Sequence, residues 1–372
     1  MKKVMFVFGT RPEAIKMAPL VKEFQKNEEQ FDVKVCVTAQ HREMLDQVLA
    51  FFQINPDYDL NLMKKNQSLS ELSARILMNM TEVFDNLTPD YVFVHGDTTT
   101  STIVALSAFY KQIKVVHVEA GLRTNDRYSP FPEEINRQMT GRLANIHLAP
   151  TTVSRENLLK EGIDENTVLI TGNTVIDSLL YAVERVEEFE DDQIEFLKNN
   201  IDVSKKIILV TGHRRENFGD GFENICYAIK EIAKEHSNVE IVYPVHLNPS
   251  VKVPVEKILK GVENVRLISP LSYPSFVWLM KKSYLVLTDS GGIQEEAPSL
   301  GKPVLVMRNT TERPEAVDVG TVILVGTDKE KIVREVNLLL KNEVVFNKMT
   351  RKHNPYGDGK ASVRIVDFFK HI

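Results

Sequence analysis

Cysteine is scarce in this chain, and no long apolar run stands near its beginning. Among 372 residues only Cys36 and Cys226 are cysteines, too few and too far apart for a disulfide framework or a metal box. We therefore expect a reducing compartment. The first apolar run, 4–8, is too short for a signal peptide or a membrane span. These absences predict a soluble, cytoplasmic protein with no membrane partner.

A surplus of positive charge is also lacking. The formal net charge of −5 argues against nucleic acid as a partner. Neither G-x-G-x-x-G nor G-x-x-x-x-G-K-[ST] occurs, which disfavours dinucleotide and Walker-type sites. The one Asp-x-Asp, Asp57 and Asp59, lies in a predicted loop with no strand ahead of it. Because arginine, histidine and helix amides could neutralise a diphosphate, we expect neither a metal nor a cofactor.

What the chain does have is a regular succession of apolar runs. Continuous runs of Val, Ile and Phe suit strands buried on both faces, as in parallel sheets covered by helices. Segments of helical periodicity such as 13–24 lie between them. The runs predicted as strands are 4–8, 33–37, 91–94, 115–118, 146–149, 168–170, 207–210, 239–243, 265–268, 284–287, 304–307 and 322–324.

Six runs in each half predict an α/β protein with two Rossmann-like doubly wound domains that face a central cleft. We expect the first domain at 1–170 and the second at 171–359. A final helix at 360–372 is predicted to pack back onto the first domain. The charged stretch 184–200 is predicted to be a solvated surface helix between the two.

The segment 285–296 is the most informative about function. An apolar run ends in Ser290-Gly291-Gly292 and passes into a helical stretch. This order predicts a strand, a tight turn and a helix start whose amides bind an anion, with glycines that let a phosphate approach. Glu296, one turn further, could accept hydrogen bonds from sugar hydroxyls. The alternative is an ordinary serine-capped helix.

Charged residues also follow other predicted strands, and ligands of parallel sheets bind outside those strand ends. Arg11 follows the first strand and could grip a phosphate, or could form a surface ion pair. The acid–base candidates are Asp97, Glu119, Glu133 and His213. Asp97 could instead cap a helix, and Glu133 could simply favour a helix dipole. Glu119 ends a strand that looks buried, where a carboxylate needs a partner or a purpose.

Eight motifs follow one another along the chain in a recognisable order. They are Phe8-Gly9-Thr10-Arg11-Pro12-Glu13-Ala14, Val94-His95-Gly96-Asp97-Thr98, His117-Val118-Glu119-Ala120-Gly121-Leu122-Arg123, Pro130-Phe131-Pro132-Glu133-Glu134, Gly212-His213-Arg214-Arg215-Glu216-Asn217, Asp289-Ser290-Gly291-Gly292-Ile293-Gln294-Glu295-Glu296, Thr311-Glu312-Arg313-Pro314-Glu315 and Asn354-Pro355-Tyr356-Gly357-Asp358-Gly359. Nearly end to end, the chain closely resembles the non-hydrolysing UDP-N-acetylglucosamine 2-epimerases.

The resemblance implies a GT-B type fold, a homodimer and interconversion of UDP-GlcNAc and UDP-ManNAc. It implies that UDP is eliminated across C1–C2 to give 2-acetamidoglucal and is then added back, because C2–H is not acidic enough for simple deprotonation. By similarity, Asp97, Glu119 and Glu133 transfer protons, with the base and the acid among them left open. The residues expected around the nucleotide are Arg11, Lys16, His213, Ser290, Gly291, Gly292, Glu296 and Arg313.

One region departs from the resemblance. Bacterial relatives often carry an activating UDP-GlcNAc site built partly from a Gln-His-Arg-Gln-Met segment and an arginine. Here the matching segment runs from Gln40 with Glu43 in place of its second glutamine, and Asn66 stands in place of the arginine. Gln40 and His246 still match. Because Glu43 would repel a diphosphate, we predict turnover of UDP-ManNAc without added UDP-GlcNAc.

Two other functions fit the same fold. A UDP-sugar-dependent glycosyltransferase would need an acceptor groove and often a basic, apolar patch near a membrane, and the sequence has no such stretch. A non-catalytic nucleotide-sugar sensor would have no use for three carboxylates beside a diphosphate. Both are weaker interpretations than the epimerase.

Overall fold

The chain forms two compact units in the computed structural model, which describes residues 1–38, 42–62, 64, 67–311, 313–351 and 353–372. One unit is Met1–Tyr181 with Tyr356–Ile372, and the other is Ala182–Pro355. The divisions thus lie at 181 and 355, compared with 170 and 359 in the sequence analysis. Residues up to 181 stay with the first unit because Tyr181 stacks on Phe52, with ring centroids 5.2 Å apart.

The first unit contains a parallel sheet of seven strands. They are β1 (Lys2–Phe8), β2 (Phe31–Val37), β3 (Tyr58–Asp59), β4 (Tyr91–His95), β5 (Lys114–Val118), β6 (Ile146–Ala149) and β7 (Val168–Ile170). Their order in the sheet is β3-β2-β1-β4-β5-β6-β7. In register, Val4 of β1 lies opposite Val33 on one side and Tyr91 on the other.

Helices connect these strands and cover the sheet. They are α1 (Arg11–Gln25), α2 (Arg42–Phe52), α3 (Leu69–Leu87), α4 (Thr99–Tyr110), α5 (Glu133–Leu143), α6 (Thr152–Lys160), α7 (Thr174–Arg185), which crosses the division, and the final helix α16 (Ala361–His371). A short 3₁₀ helix, Glu165–Thr167, precedes β7.

Both faces of this sheet are buried. Phe6 of β1 stacks on Phe93, with centroids 4.6 Å apart, and Phe369 of α16 joins them at 5.0 Å from Phe93. The neighbouring Met5 and Val7 belong to a separate apolar cluster with α3 and α4. Alternate residues of a strand point to opposite faces. Two helical layers therefore explain why the runs are continuously apolar.

The second unit repeats the arrangement with six parallel strands. They are β8 (Lys206–Thr211), β9 (Val239–Pro244), β10 (Val265–Ile268), β11 (Leu285–Thr288), β12 (Val304–Val306) and β13 (Val322–Leu324), in the order β10-β9-β8-β11-β12-β13. Its helices are α8 (Asp192–Asn200), α9 (Asp220–Glu235), α10 (Pro249–Leu259), α11 (Tyr273–Lys282), α12 (Gly291–Glu296), α13 (Pro314–Val319), α14 (Lys329–Lys341) and α15 (Glu343–Thr350). Short 3₁₀ helices are Arg215–Asn217 and Ala297–Leu300.

Two local predictions were wrong. Asp59 lies in the short edge strand β3, which pairs with Cys36 and Val37, and not in a loop. The charged stretch 184–200 is two helices, because the Asp191 carboxylate caps the start of α8 and also accepts a hydrogen bond from the Ser275 hydroxyl at 2.8 Å. None of the helices in the described part of the chain has the length and apolar character that crossing a membrane requires.

Candidate active site

Each sheet has one place where the strand order reverses, between β1 and β4 in the first unit and between β8 and β11 in the second. In open α/β sheets, ligands bind outside the carboxyl ends of the strands at such a point. The segments that leave these four strands carry Arg11, Asp97, His213 and Ser290. The predicted site residues are therefore divided between two such points, one in each unit.

Glu119 follows β5 and has a left-handed backbone, with φ of 60°. For a residue other than glycine this conformation costs about 1 kcal/mol, and such residues cluster at functional sites. Its side chain is only 8% exposed and pairs with the Lys16 ammonium through Oε2. The Asn173 amide donates to the same oxygen at 2.8 Å. Lys16 and Asn173 therefore supply the partners that a buried carboxylate needs.

Gly121, two residues further on, shows why this loop has the shape it has. Its φ is 91°, and a Cβ there would lie 2.1 Å from the Ser154 carbonyl oxygen. No side chain fits at that distance, so glycine is required for the chain to turn directly after Glu119.

Two buried histidines lie on the adjacent strands β4 and β5. His95 Nε2 is 3.9 Å from Glu119 Oε2 and has no hydrogen-bond partner within the described ranges. Burial lowers the pKa of His95 to about 4, although the charge of Glu119 opposes the shift. Burial also lowers the pKa of His117 to about 3, despite the contact of its Nε2 with the Gly96 carbonyl oxygen at 2.7 Å. Both rings are neutral at pH 7, so the positive charge beside Glu119 comes from Lys16.

Asp97 follows β4 and forms an ion pair with Arg137 of α5, where the two side chains are 28% and 10% exposed. Arg137 is held in turn by the buried Glu134, whose Oε2 lies 3.2 Å from Nη1. The N-cap of α4 is Thr98, whose hydroxyl accepts the Ser101 amide. The alternative role of Asp97 as the helix cap is therefore wrong.

Glu133 is the first residue of α5 and is partly buried. Residues four apart on a helix share a face, so Glu133 lies on the side of α5 that presents Arg137. The preceding Pro132 provides no side-chain cap. A carboxylate at this position is also favourable to the helix dipole, and this structural interpretation stays open.

Arg11 is the first residue of α1, where Thr10 serves as the N-cap. The start of a helix favours anions because its first amides lack partners inside the helix and the dipole is positive there. Arg11 is partly buried at this position. Arg11 therefore adds a positive side chain at an end of α1 that already favours a phosphate.

In the second unit, the fully buried Asp289 organises the loop after β8. Its Oδ2 accepts hydrogen bonds from the amides of His213 and Arg214, both at 2.8 Å. Its Oδ1 has no hydrogen-bond partner in the described part of the chain and lies 3.8 Å from His213 Nδ1. Partial burial lowers the pKa of His213, against the opposing charge of Asp289. The imidazole remains 49% exposed, so it can contact a ligand.

Ser290 is the N-cap of α12, but its hydroxyl makes no hydrogen bond to the first helical amides. The alternative of an ordinary serine-capped helix is therefore wrong. At Gly292, a Cβ would have no described atom within 4 Å outside the helix backbone and the adjacent residues. The hydroxyl and the adjoining space are thus suited to an anion at the helix start.

Arg313 forms an ion pair with Glu295, where the side chains are 12% and 1% exposed. The sequence analysis placed Arg313 near the substrate as added positive charge. A buried carboxylate in direct contact with the guanidinium offsets much of that positive charge. Glu296, the last residue of α12, is partly buried.

The candidate regulatory residues are only partly described. Gln40, Asn66 and the side chain of Glu43 lie outside the described residues, so their predicted role is untested. His246 is exposed and stacks on His213, with ring centroids 5.1 Å apart and an interplanar angle of 11°.

Several residues of these clusters were not among the predicted site residues, including His95, Arg137, Asn173 and Asp289. Asn173 follows β7 and carries the same signal as the others, a polar side chain after a strand. Asp289 and His95 stand inside recognised motifs and could have been found there. Arg137 lies in the interior of α5, and only the folded structure reveals its contact with Asp97.

Comparison with known proteins identifies the family of this chain. A family model described as UDP-N-acetylglucosamine 2-epimerase matches residues 22–370. Curated proteins named UDP-N-acetylglucosamine 2-epimerase from Yersinia pestis and Escherichia coli K12 are 58% and 59% identical, with 99% of this chain and 98% of each relative covered.

A crystal structure of UDP-GlcNAc 2-epimerase from Neisseria meningitidis bound to UDP-GlcNAc has a TM-score of 0.91 and 52% identity, and the match covers 100% of both chains. Together with the two parallel sheets, it confirms the predicted class of two Rossmann-like domains of the GT-B type. The chain therefore belongs to the UDP-N-acetylglucosamine 2-epimerase family.

Proposed function

We propose that this chain reversibly epimerises UDP-N-acetylglucosamine at C2 to UDP-N-acetylmannosamine. The observation that carries the proposal is the pair of carboxylates after β4 and β5, Asp97 and Glu119, each in contact with one cationic side chain. Relatives that are 58% and 59% identical over 99% of this chain bear the name of this activity.

In the proposed reaction, a carboxylate removes the C2 proton and the C–H electron pair forms a C1=C2 double bond. The C1–O bond breaks, and UDP leaves with that bond's electrons. UDP then adds back to 2-acetamidoglucal while a proton reaches C2 from the other face. General acid–base groups are needed on both faces, and we assign this work to Asp97, Glu119 and Glu133.

The leaving diphosphate needs stabilisation by donors aimed at its developing charge. We assign this role to Arg11, His213, Ser290, Gly291 and Gly292. Lys16 and Arg313 would add positive charge, moderated by their carboxylate partners Glu119 and Glu295. Glu296 would accept hydrogen bonds from the ribose.

Exchange with solvent tests the proposal directly. The chain is incubated with UDP-GlcNAc alone in D₂O, and C2 is followed by NMR. We expect deuterium at C2 and a mixture of both UDP-sugars. A glycosyltransferase or a sensor would leave that hydrogen in place, and this result would contradict the proposal.

We also propose that UDP-GlcNAc is not a required activator here, because Glu43 replaces an amide expected to face the activating diphosphate. With UDP-ManNAc as the only substrate, the time course should begin without a lag. A long lag that trace UDP-GlcNAc abolishes would count against this proposal. The variant Glu43→Gln should then become more responsive to UDP-GlcNAc than the parent chain.

A homodimer is proposed from an apolar surface on α4 and α5. Phe109, Tyr110 and Met139 are 57%, 64% and 44% exposed. Two surface cavities of about 460 and 590 Å³ adjoin these side chains and share Leu143. Sedimentation should give a dimer that Tyr110→Glu dissociates, whereas Phe196→Glu on α8 should not. A monomeric parent chain would refute this assignment.

We place the protein in the cytoplasm, where thiols stay reduced. Cys36 and Cys226 are both free and buried. Burial raises the pKa of the Cys226 thiol to about 12 and that of Cys36 further. Thiols of this kind are inert. Neither cysteine is therefore assigned a redox or catalytic role.

A further inference from the structure

Two helices of the first unit begin with the same capping box, in which a hydroxyl and a carboxylate three residues later each accept the other's backbone amide. In α1 the pair is Thr10 and Glu13, and in α3 it is Ser68 and Glu71. Glu71 is exposed, whereas Glu13 is 2% exposed. A capping residue needs no burial to stabilise the start of a helix. The burial of Glu13 therefore calls for a further explanation.

The second carboxylate oxygen of Glu13 provides one. Oε2 closes the capping box by accepting the amides of Gly9 at 3.1 Å and Thr10 at 2.8 Å. Oε1 accepts the Thr98 hydroxyl at 2.7 Å and lies 3.2 Å from the Ser101 hydroxyl, whose single proton is shared with the His95 carbonyl oxygen. One buried carboxylate thus joins the loop after β1 to the start of α4, which follows β4. Strands β1 and β4 are the pair between which the strand order of the sheet reverses.

The exposed capping box has no such reach. Within the described part of the chain, the Glu71 carboxylate accepts hydrogen bonds only from the amide and hydroxyl of Ser68, and these bonds lower its pKa. For Glu13, burial raises the pKa, and hydrogen bonds with Thr98, Thr10 and Gly9 oppose the shift. A buried carboxylate is tolerated when hydrogen bonds satisfy it. Here those bonds come from two separate loops.

Both joined loops carry proposed active-site residues. Thr10 immediately precedes Arg11, which is assigned to the diphosphate. Thr98 immediately follows Asp97, which is assigned to proton transfer. A displacement of about 1 Å between reacting groups can cost on the order of 100-fold in rate. A rigid, buried link that fixes the distance between these two loops would therefore favour the reaction.

We propose that Glu13 is a positioning residue that holds the Arg11 loop and the Asp97 loop in register during elimination and return of UDP. This inference rests on the proposed function. Glu13 does not itself touch the substrate. Its carboxylate keeps the phosphate-binding and proton-transfer groups at a constant separation, so that the glycal and UDP stay aligned until they recombine.

The test compares Glu13→Gln with Glu71→Gln, since both substitutions weaken a capping box in the same unit. An amide cannot accept at both of its ends, so Glu13→Gln breaks one side of the link. We expect kcat to fall about 10- to 100-fold, with KM changed less than threefold. A larger fraction of turnovers should release 2-acetamidoglucal into solution. Glu71→Gln should keep the parent kcat and the parent level of glycal release.

Two milder variants keep the test informative if Glu13→Gln does not fold. Ser101→Ala removes the hydroxyl that Oε1 shares with the His95 carbonyl oxygen, leaves both capping boxes intact and should also raise glycal release. Thr98→Ser keeps the hydroxyl and should behave like the parent chain. Increased glycal release separates positioning from mere stability, because a loss of folded protein lowers the rate without changing the partition of the intermediate.

Parent-like kcat and glycal release in folded Glu13→Gln and Ser101→Ala would overturn the inference alone. An equal loss in Glu71→Gln would also overturn it, because capping would then be the whole effect. A parent chain without C2 exchange would overturn the proposed function, and the positioning role with it.

Discussion

The two units share a topology and differ in what they place at their strand ends. The order β3-β2-β1-β4-β5-β6 of the first sheet is matched by β10-β9-β8-β11-β12-β13 in the second. The first unit pairs Glu119 and Asp97 with cationic side chains. In the second, Asp289 binds backbone amides and holds the loop of His213 beside an open helix start. The same strand order thus carries two different sets of polar residues, because the loops and not the sheet differ between the units.

The largest expected effect would separate these two roles. Glu119→Gln should lower C2 deuterium exchange by about 1,000-fold, since general acid–base groups contribute on the order of 10²–10⁴. The amide can still accept from Lys16, and UDP affinity should change little in calorimetry. Glu156→Gln, on the exposed side of α6, is the control. An equal loss of UDP affinity in Glu119→Gln would erase the proposed division between the units.

A second prediction concerns how the units are assembled, because only the first uses both ends of the chain. Phe369 of α16 packs on Phe24, Tyr91 and Phe93, with centroids 5.8, 5.1 and 5.0 Å away. Phe369→Ala should cost about 4 kcal/mol of unfolding free energy. Hydrogen exchange should locate the loss in the first unit, while the partly exposed neighbour Phe368→Ala costs less. Equal loss of protection in the second unit would show that the units unfold together.

A smaller effect concerns acid sensitivity of the first unit, which holds both His95 and His117. Their folded pKa values, about 4 and about 3, lie below the unfolded value of 6.5. The unfolded chain therefore takes up protons first as the pH falls, and stability present above pH 6.5 is lost toward the folded pKa. Each histidine should cost about 2 kcal/mol between pH 7 and pH 5.

The measurement is urea unfolding of His117→Gln at both pH values. The variant should lose about 2 kcal/mol of the pH-dependent change, while the exposed His371→Gln keeps all of it. An unchanged pH dependence in His117→Gln would mean that this imidazole has the same pKa in the folded and unfolded chains.

The smallest expected effect tests the second unit as the nucleotide holder. Gly292→Ala adds a methyl group where a Cβ meets no described atom within 4 Å, so the fold should tolerate it. Alanine also favours a helix by about 1 kcal/mol over glycine. UDP affinity should nevertheless fall about tenfold, or ~1.4 kcal/mol, because the methyl group occupies the space assigned to phosphate.

The matched control for this measurement is Gly141→Ala in α5 of the first unit. A Cβ there makes only ordinary contacts, 3.6 Å from Arg123 and 3.9 Å from Leu158. UDP affinity should not change in this variant. Unchanged affinity in Gly292→Ala would move the diphosphate away from α12.

Local patterns were sufficient for much of the fold. Each predicted apolar run overlaps a strand. A strand buried on both faces is apolar at every position, so it can be identified from the local sequence without knowing which strands lie beside it. Strand β3 has no apolar run in the sequence, because Tyr58–Asp59 is a strand only through its pairing with β2. The break in the charged stretch depends on the contact of Asp191 with Ser275, which lies 84 residues further along the chain.

The sequence by itself determined the alternation of strands and helices, the motifs after the strands and the family to which they belong. Only the tertiary structure decided that Lys16 and Asn173 meet at Glu119, that Arg137 holds Asp97 and that Glu13 joins two loops. The physical reason is that each of these contacts joins residues from helices and loops that are far apart along the chain. Strand order and helix packing bring these residues together, and no local sequence pattern indicates which of them will be in contact.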